Sequence, residues 1–232
     1  LFGQSKRALL FIDLPLIGFL YFGILAAAAH YSAHVYNWRT TAISKLLYPA
    51  YDPAFHLVAS LGVALAGLLI LPFVAYIRRK LTRASGVAAG VGALALAAGA
   101  IGLALAGLIV CHPAQGTAAF PKLHEILART AAVALGIGMV VLCGCAAREC
   151  SVAPANDREW HRLVIAWTLI TLPLLLVVIL GAAAAAHLHW SNPIYQLLRS
   201  RDLWRLGFWE WLGSAAVYLF LASAALFLPD PD

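Results

Sequence analysis

The sequence predicts an all-α polytopic membrane protein, a single bundle of six transmembrane helices. Three observations carry this. The 232 residues are 63% hydrophobic and 11% charged, whereas a soluble domain carries about 25% charged residues. The apolar residues fall in six blocks, at about 8–29, 55–77, 86–110, 123–147, 162–186 and 207–228, and a spanning helix needs roughly 20 apolar residues. Tracts such as "AGVGALALAAGAIGLALAGL" show no strand-like alternation, which argues against a β-barrel. The six blocks use most of the chain, so residues 1–232 read as one transmembrane domain, multi-pass and integral to the membrane.

The first block resembles a signal peptide, and "ILAAAAH" resembles a cleavage site. We read it instead as a retained first spanning helix. Asp13, about a turn inside it, is expected to be structural and to pair with a neighbouring helix. The second block ends in "RRKLTR", a tight basic turn. The third is rich in small residues. Gly86 and Gly90 make a small-xxx-small pair, and Gly99, Gly102 and Gly107 continue it, which predicts a central packing helix. The fourth opens after the bend "LIVCHPAQGTAAFPKLHEILART", which Pro113 and Pro121 keep non-helical. The last opens "LGFWEWLGSAAVY", with Glu210 between two tryptophans.

The net charge is +6. The basic residues stand beside helix ends, the pattern of membrane orientation, and no nucleic-acid module is present. One side carries nine of them: Lys6, Arg7, Arg78, Arg79, Lys80, Arg83, Arg148, Arg158 and Arg162. The other carries six: Arg39, Lys45, Lys122, Arg199, Arg201 and Arg205. The positive-inside rule therefore places both termini in the cytoplasm.

Seven of the eight histidines then fall on the non-cytoplasmic side: His30, His34, His56, His112, His124, His187 and His189. Tyr31, Tyr36, Trp38, Trp190, Trp204, Trp209 and Trp211 accompany them. Interfacial belts account for part of this asymmetry. The outer loops are also the long ones, about 25 residues for the first and 20 for the third. Ionisable residues in spanning helices are functional suspects, so a polar site is expected on that face.

Its candidates come mostly from the central bend. Glu125 and Arg129 are four apart on one helical face and can pair. Alternatively, the planar guanidinium of Arg129 suits a phosphate or carboxylate. "HEILAR" is not a metalloprotease motif, because Ala128 stands where the second histidine is required. A catalytic zinc would have to be assembled from separate bends, for example from His56, His112 and His124. A haem would need axial histidines at matched depth, for which His56 and His124 qualify. The half-apolar setting of Glu210 suits acid/base work. The four cysteines form no disulfide framework or zinc spacing. Cys111, Cys143, Cys145 and Cys150 read as core residues and free thiols, with palmitoylation of the last three as the functional alternative.

Three stretches resemble a superfamily of six-helix membrane proteins. "TTAISKLLYPAYDPAFHLVASLGVALAGLLILPFVAYIRRKL" resembles its first outer loop and second helix. "GLALAGLIVCHPAQGTAAFPKLHEILARTAAVALGIGM" resembles its Gly-rich third helix and the histidine that opens helix four. "RLGFWEWLGSAAVYL" resembles the acid-bearing start of its sixth helix. The superfamily includes the damage-regulated autophagy modulators, the GPI-anchor lipid-remodelling factors and related bacterial proteins of unknown function. The resemblance covers about residues 10–228. It implies cytoplasmic termini and, for some members, lipid-linked work. It carries over Ser44 for the loop serine, His124 for the helix-four histidine and Glu210 for the helix-six acid. Of the longer loop motif only Ile43 and Ser44 match, and the Arg-bearing start of helix four has no counterpart.

The leading expectation is therefore a protein that binds or remodels a lipid or lipid-linked substrate. His124 and Glu210 are its acid/base candidates and Ser44 its acyl acceptor. Arg129, Glu125, His112 and His56 would bind the substrate. Membrane lipids are the expected partners, and no resident cofactor or metal is expected. The alternatives are a zinc- or haem-binding membrane protein using the outer histidines, and a non-enzymatic scaffold with a protein partner in the membrane.

Overall fold

The computed structural model describes residues 5–110, 119–152, 158–187, 192–193, 196–197 and 205–228. Among them there are helices and no strands, and the chain is an all-α, multi-pass membrane protein. The long helices are α1 (Lys6–Tyr31), α2 (His56–Lys80), α3 (Thr82–Val110), α4 (Ala119–Val152), α5 (Arg158–His187) and α6 (Leu206–Phe227). Five of these contain spans long and apolar enough to cross a membrane, and within α5 the described apolar run is Ile165–Gly181. The helices overrun the predicted apolar blocks at several ends. Arg78, Arg79 and Lys80 still belong to α2, and α3 starts two residues later. Charged last turns are good helix where they favour the helix dipole, although they lie outside the apolar slab.

α1 is irregular. Its turns widen at Leu9–Asp13 and again at Gly18–Gly23. Pro15 lies just beyond the first of these. It lacks an amide donor and its ring crowds the preceding turn, conditions that favour such widening. Asp13 is buried there, but its Oδ2 has no hydrogen-bond partner among the described residues. The expected pairing partner is therefore not seen for that oxygen. At the start of α1, Lys6 Nζ donates to the carbonyls of Leu226 (2.9 Å) and Leu228 (3.2 Å). This bond joins the start of the first helix to the end of the last, so both lie at one end of the bundle.

The centre is close-packed by small residues. A Cβ on Gly67 would lie 2.8 Å from the Ala100 carbonyl, and one on Gly138 would lie 2.6 Å from the Leu96 amide. Backbone thus meets backbone across α2, α3 and α4, with α3 in the middle. The expected Gly86/Gly90 pair takes no part, since nothing lies within 4 Å of either. The contact shifts inward to Gly92, Gly99, Gly102 and Gly107. On the other flank Trp167 of α5 packs on Phe220 of α6, with ring centroids 5.2 Å apart.

Among the described residues two apolar cores result. The larger fills the end that holds Lys6 and Leu228 and includes Leu9, Phe73, Leu96, Leu142, Trp167 and Leu221. The smaller lies at the opposite end, and the first loop builds much of it. A short 3-10 turn, Ile43–Leu47, buries Ile43, Leu46 and Leu47 against Leu25, Ala28, Val63 and Val110. Ser60 adds a long bond to the Leu47 carbonyl. The loop therefore folds down onto the helix ends.

Candidate functional site

The loop end of the bundle holds two polar clusters. The first surrounds Glu210, near the start of α6. Its Oε2 accepts a 2.6 Å hydrogen bond from the backbone N–H of Ile43. Gly207, one turn earlier, lets the backbone of Thr41 lie directly against α6, in space a side chain would fill. Trp211 Nε1 donates to the Tyr36 hydroxyl at 2.9 Å. Ser214 donates to the Glu210 carbonyl at 2.9 Å, which leaves its oxygen to accept from the Tyr21 hydroxyl at 2.8 Å. Burial pushes the Tyr36 phenol up to about 12, and the nearby Glu210 charge pushes the same way. The bonds to Ile43, Tyr36 and Tyr21 fasten the loop and α1 to α6. Glu210 thus touches the loop backbone, and Ser44 is the next residue along. The Ser44 hydroxyl is half-buried and bonds to neither His124 nor Glu210.

The second cluster surrounds His124 in α4. Its side chain is buried, with the residue 5% exposed. Nδ1 lies 3.0 Å from the Ala106 carbonyl. A carbonyl only accepts, so Nδ1 carries the proton and donates. In the neutral ring Nε2 is then a bare acceptor. It is buried and has no partner among the described residues. The ring of Tyr48 meets the imidazole edge-on, with centroids 5.7 Å apart. Burial raises the Tyr48 phenol above its ordinary value, and the Glu125 charge adds to this, so that hydroxyl stays protonated.

Nearby, Asp52 organises the start of α2. Its Oδ1 accepts from the Phe55 N–H at 3.0 Å, and His56 Nδ1 bonds the Asp52 carbonyl at 3.1 Å. Asp52 is fully buried, and its Oδ2 has no hydrogen-bond partner among the described residues. Lys45 Nζ donates to the Tyr51 hydroxyl at 3.0 Å and lies 4.4 Å from the Tyr51 ring centre.

Glu125 and Arg129 form an ion pair with each other, one turn apart. Both side chains are more than half exposed, at 55% and 72%. Glu125 is close enough to act on Tyr48, but the guanidinium is already engaged. No hydrogen bond or ion pair joins Arg129 to Glu210. His112 lies outside the described residues. Among the described residues no three His, Cys, Asp or Glu side chains assemble into a metal site. Cys143 and Cys145 are buried and in no disulfide, and Cys143 Sγ is 3.3 Å from Thr171 Oγ1. Neither is placed for acylation; Cys111 lies outside the described residues, as does the side chain of Cys150.

The sequence placed Tyr36 and Lys45 on the loop side without a role in the site, and Tyr21, Tyr48 and Asp52 were not singled out. Two signals pointed to Lys45, Tyr48 and Asp52. Lys45, Tyr48 and Tyr51 recur every three residues, the period of a 3-10 turn. "DPAF" places an aspartate and a proline just before a helix.

No curated protein and no solved structure matches the chain, so nothing ties it specifically to the autophagy modulators or to the GPI-anchor remodelling factors. The chain belongs to the family described as "Protein of unknown function (DUF998)", which it matches over residues 16–228.

Proposed function

We propose that this protein binds a lipid or lipid-linked substrate at the loop end of its bundle, with His124 as the acceptor for a substrate hydroxyl. One observation carries the reading. His124 Nε2 is buried, lacks a partner and is fixed in tautomer by the Ala106 carbonyl. A buried acceptor without a donor costs about 1–3 kcal/mol, so a ligand that donates there recovers that cost. Tyr48 packs edge-on against the imidazole. In a remodelling reaction the same nitrogen is the base available to take a proton from an attacking hydroxyl. Glu210, in this reading, positions the loop. The superfamily resemblance supports lipids as the ligand class. No metal reading is proposed, because no observation at the described residues favours one.

The test is lipid mass spectrometry of the protein purified in mild detergent. His124→Asn is the informative variant. Its side-chain amide keeps a donor for the Ala106 carbonyl and removes the Nε2 acceptor. Loss of that bond should lower retained lipid per chain about three- to tenfold, the equivalent of one hydrogen bond. Thermal stability should stay near that of the parent protein. Unchanged lipid in His124→Asn would sink the proposal.

A further inference from the structure

We infer that the lipid is an anionic phospholipid whose phosphate is held by Lys45 and whose head group carries a free hydroxyl. This rests on the lipid reading above and assigns the charge recognition to a residue outside the acidic and histidine set.

Four observations lead to it. First, Arg129, the cation that the sequence favours for a phosphate, is already paired with Glu125 on the exposed flank of α4. Second, Lys45 has no carboxylate within ion-pair distance among the described residues. The one carboxylate of its own loop, Asp52, is fully buried and accepts from the Phe55 amide. Third, Lys45 is half-buried and oriented. Its ammonium lies over the Tyr51 ring and donates to the Tyr51 hydroxyl. An ammonium has three donors, so two remain for an anion. Fourth, Lys45 and Tyr48 are three residues apart, and the Tyr48 amide closes the turn on the Lys45 carbonyl at 3.2 Å. Tyr48 in turn meets the imidazole of His124. One loop turn thus carries the Lys45 cation and, three residues on, the Tyr48 ring that meets the buried His124 acceptor. A phosphodiester with a hydroxylated head group offers the matching pair, charge for Lys45 and a hydroxyl for His124. Arg39, stacked on Trp38 with its guanidinium carbon 5.2 Å from the ring centre, adds a second cation to the same loop.

The shared chemistry is a phosphate, and a lipid must be told from the free ion. The full-length protein, stripped of lipid in detergent, is titrated with phosphatidylglycerol and with phosphatidylcholine of the same acyl chains, and bound lipid is read by native mass spectrometry. The parent protein should prefer phosphatidylglycerol about tenfold, the scale of one charge-assisted hydrogen bond. Lys45→Gln should cut that preference to about threefold or less. Lys45→Arg should restore most of it. Inorganic phosphate should not displace the bound lipid.

Equal binding of the two lipids by the parent protein would overturn the inference. So would a Lys45→Gln variant with the parent preference, or displacement by inorganic phosphate, which would identify a free-ion site. The underlying reading fails separately. If His124→Asn binds both lipids as the parent does while Lys45→Gln loses the preference, the charge assignment stands and the His124 assignment falls.

Discussion

Glu210 gives one carboxylate oxygen to the Ile43 amide, and that bond fixes where the first loop meets α6. Glu210→Leu leaves the amide without its acceptor, at a cost of about 1–3 kcal/mol to loop closure. Glu210→Gln keeps an acceptor oxygen. Hydrogen exchange of a peptide spanning Ile43 should therefore quicken about tenfold or more in the leucine variant and change little in the glutamine variant. Equal exchange in both would remove the anchoring role. At this scale the sequence is legible in type but not in partner. An acid between tryptophans at a helix start is visible in "FWEWLGS". Its partner is a backbone amide 167 residues away, and no side-chain pattern marks a backbone donor. Likewise the spacing of Glu125 and Arg129 predicts their pairing directly. The pairing of His124 with the Ala106 carbonyl and with Tyr48 requires knowing how α3, α4 and the loop converge.

Among the elements, α3 shows how spacing and rotation decide which glycines matter. Gly90 faces open space, whereas a Cβ on Gly99 would lie 2.7 Å from the Leu135 amide and 2.9 Å from the Ala131 carbonyl. Backbone cannot yield as a side-chain tip can, so Gly99→Ala should cost about 1–3 kcal/mol by forcing α3 and α4 apart. Gly90→Ala should be neutral or stabilising by up to about 1 kcal/mol, since it meets nothing and favours helix. Thermal unfolding of the two variants in the same detergent separates them. If both shift the midpoint equally, the α3–α4 seam is not where the structure places it. The small-residue content of α3 is plain in the sequence, and so is its central role. Which stripe makes the contact is not, because nearly every face of this helix is small or apolar and the pattern carries no direction. The first loop is the opposite case. Its length is obvious from the gap between apolar blocks, but its 3-10 turn and its apolar core are not. Ile43, Leu46 and Leu47 are too few to set a periodicity.

For the whole molecule, the bond from Lys6 to the last carbonyls of α6 places the start of the first helix and the end of the last at one end of the bundle. It does not say which side of the membrane that end faces. The charge asymmetry does, by the positive-inside rule. Arg78, Arg79 and Lys80 close α2 at the end shared with Lys6, so that end should face the cytoplasm and the loop end the opposite side. Two exposed positions report this. Ala33 lies in the first loop, and Thr82 lies at the start of α3 beside the basic turn. In a background with Cys111→Ser and Cys150→Ser, Ala33→Cys should react with a membrane-impermeant thiol reagent in intact cells. Thr82→Cys should react only after permeabilisation. Cys143 and Cys145 are buried and should stay silent in both. The reverse labelling would mean that Arg199, Arg201 and Arg205, clustered before α6, outweigh the "RRKLTR" turn in setting the topology. The loop end with Lys45 and His124 would then face the cytoplasmic leaflet. That leaflet carries the anionic lipids of a plasma membrane, so the orientation also determines which pool of phospholipid can reach the site.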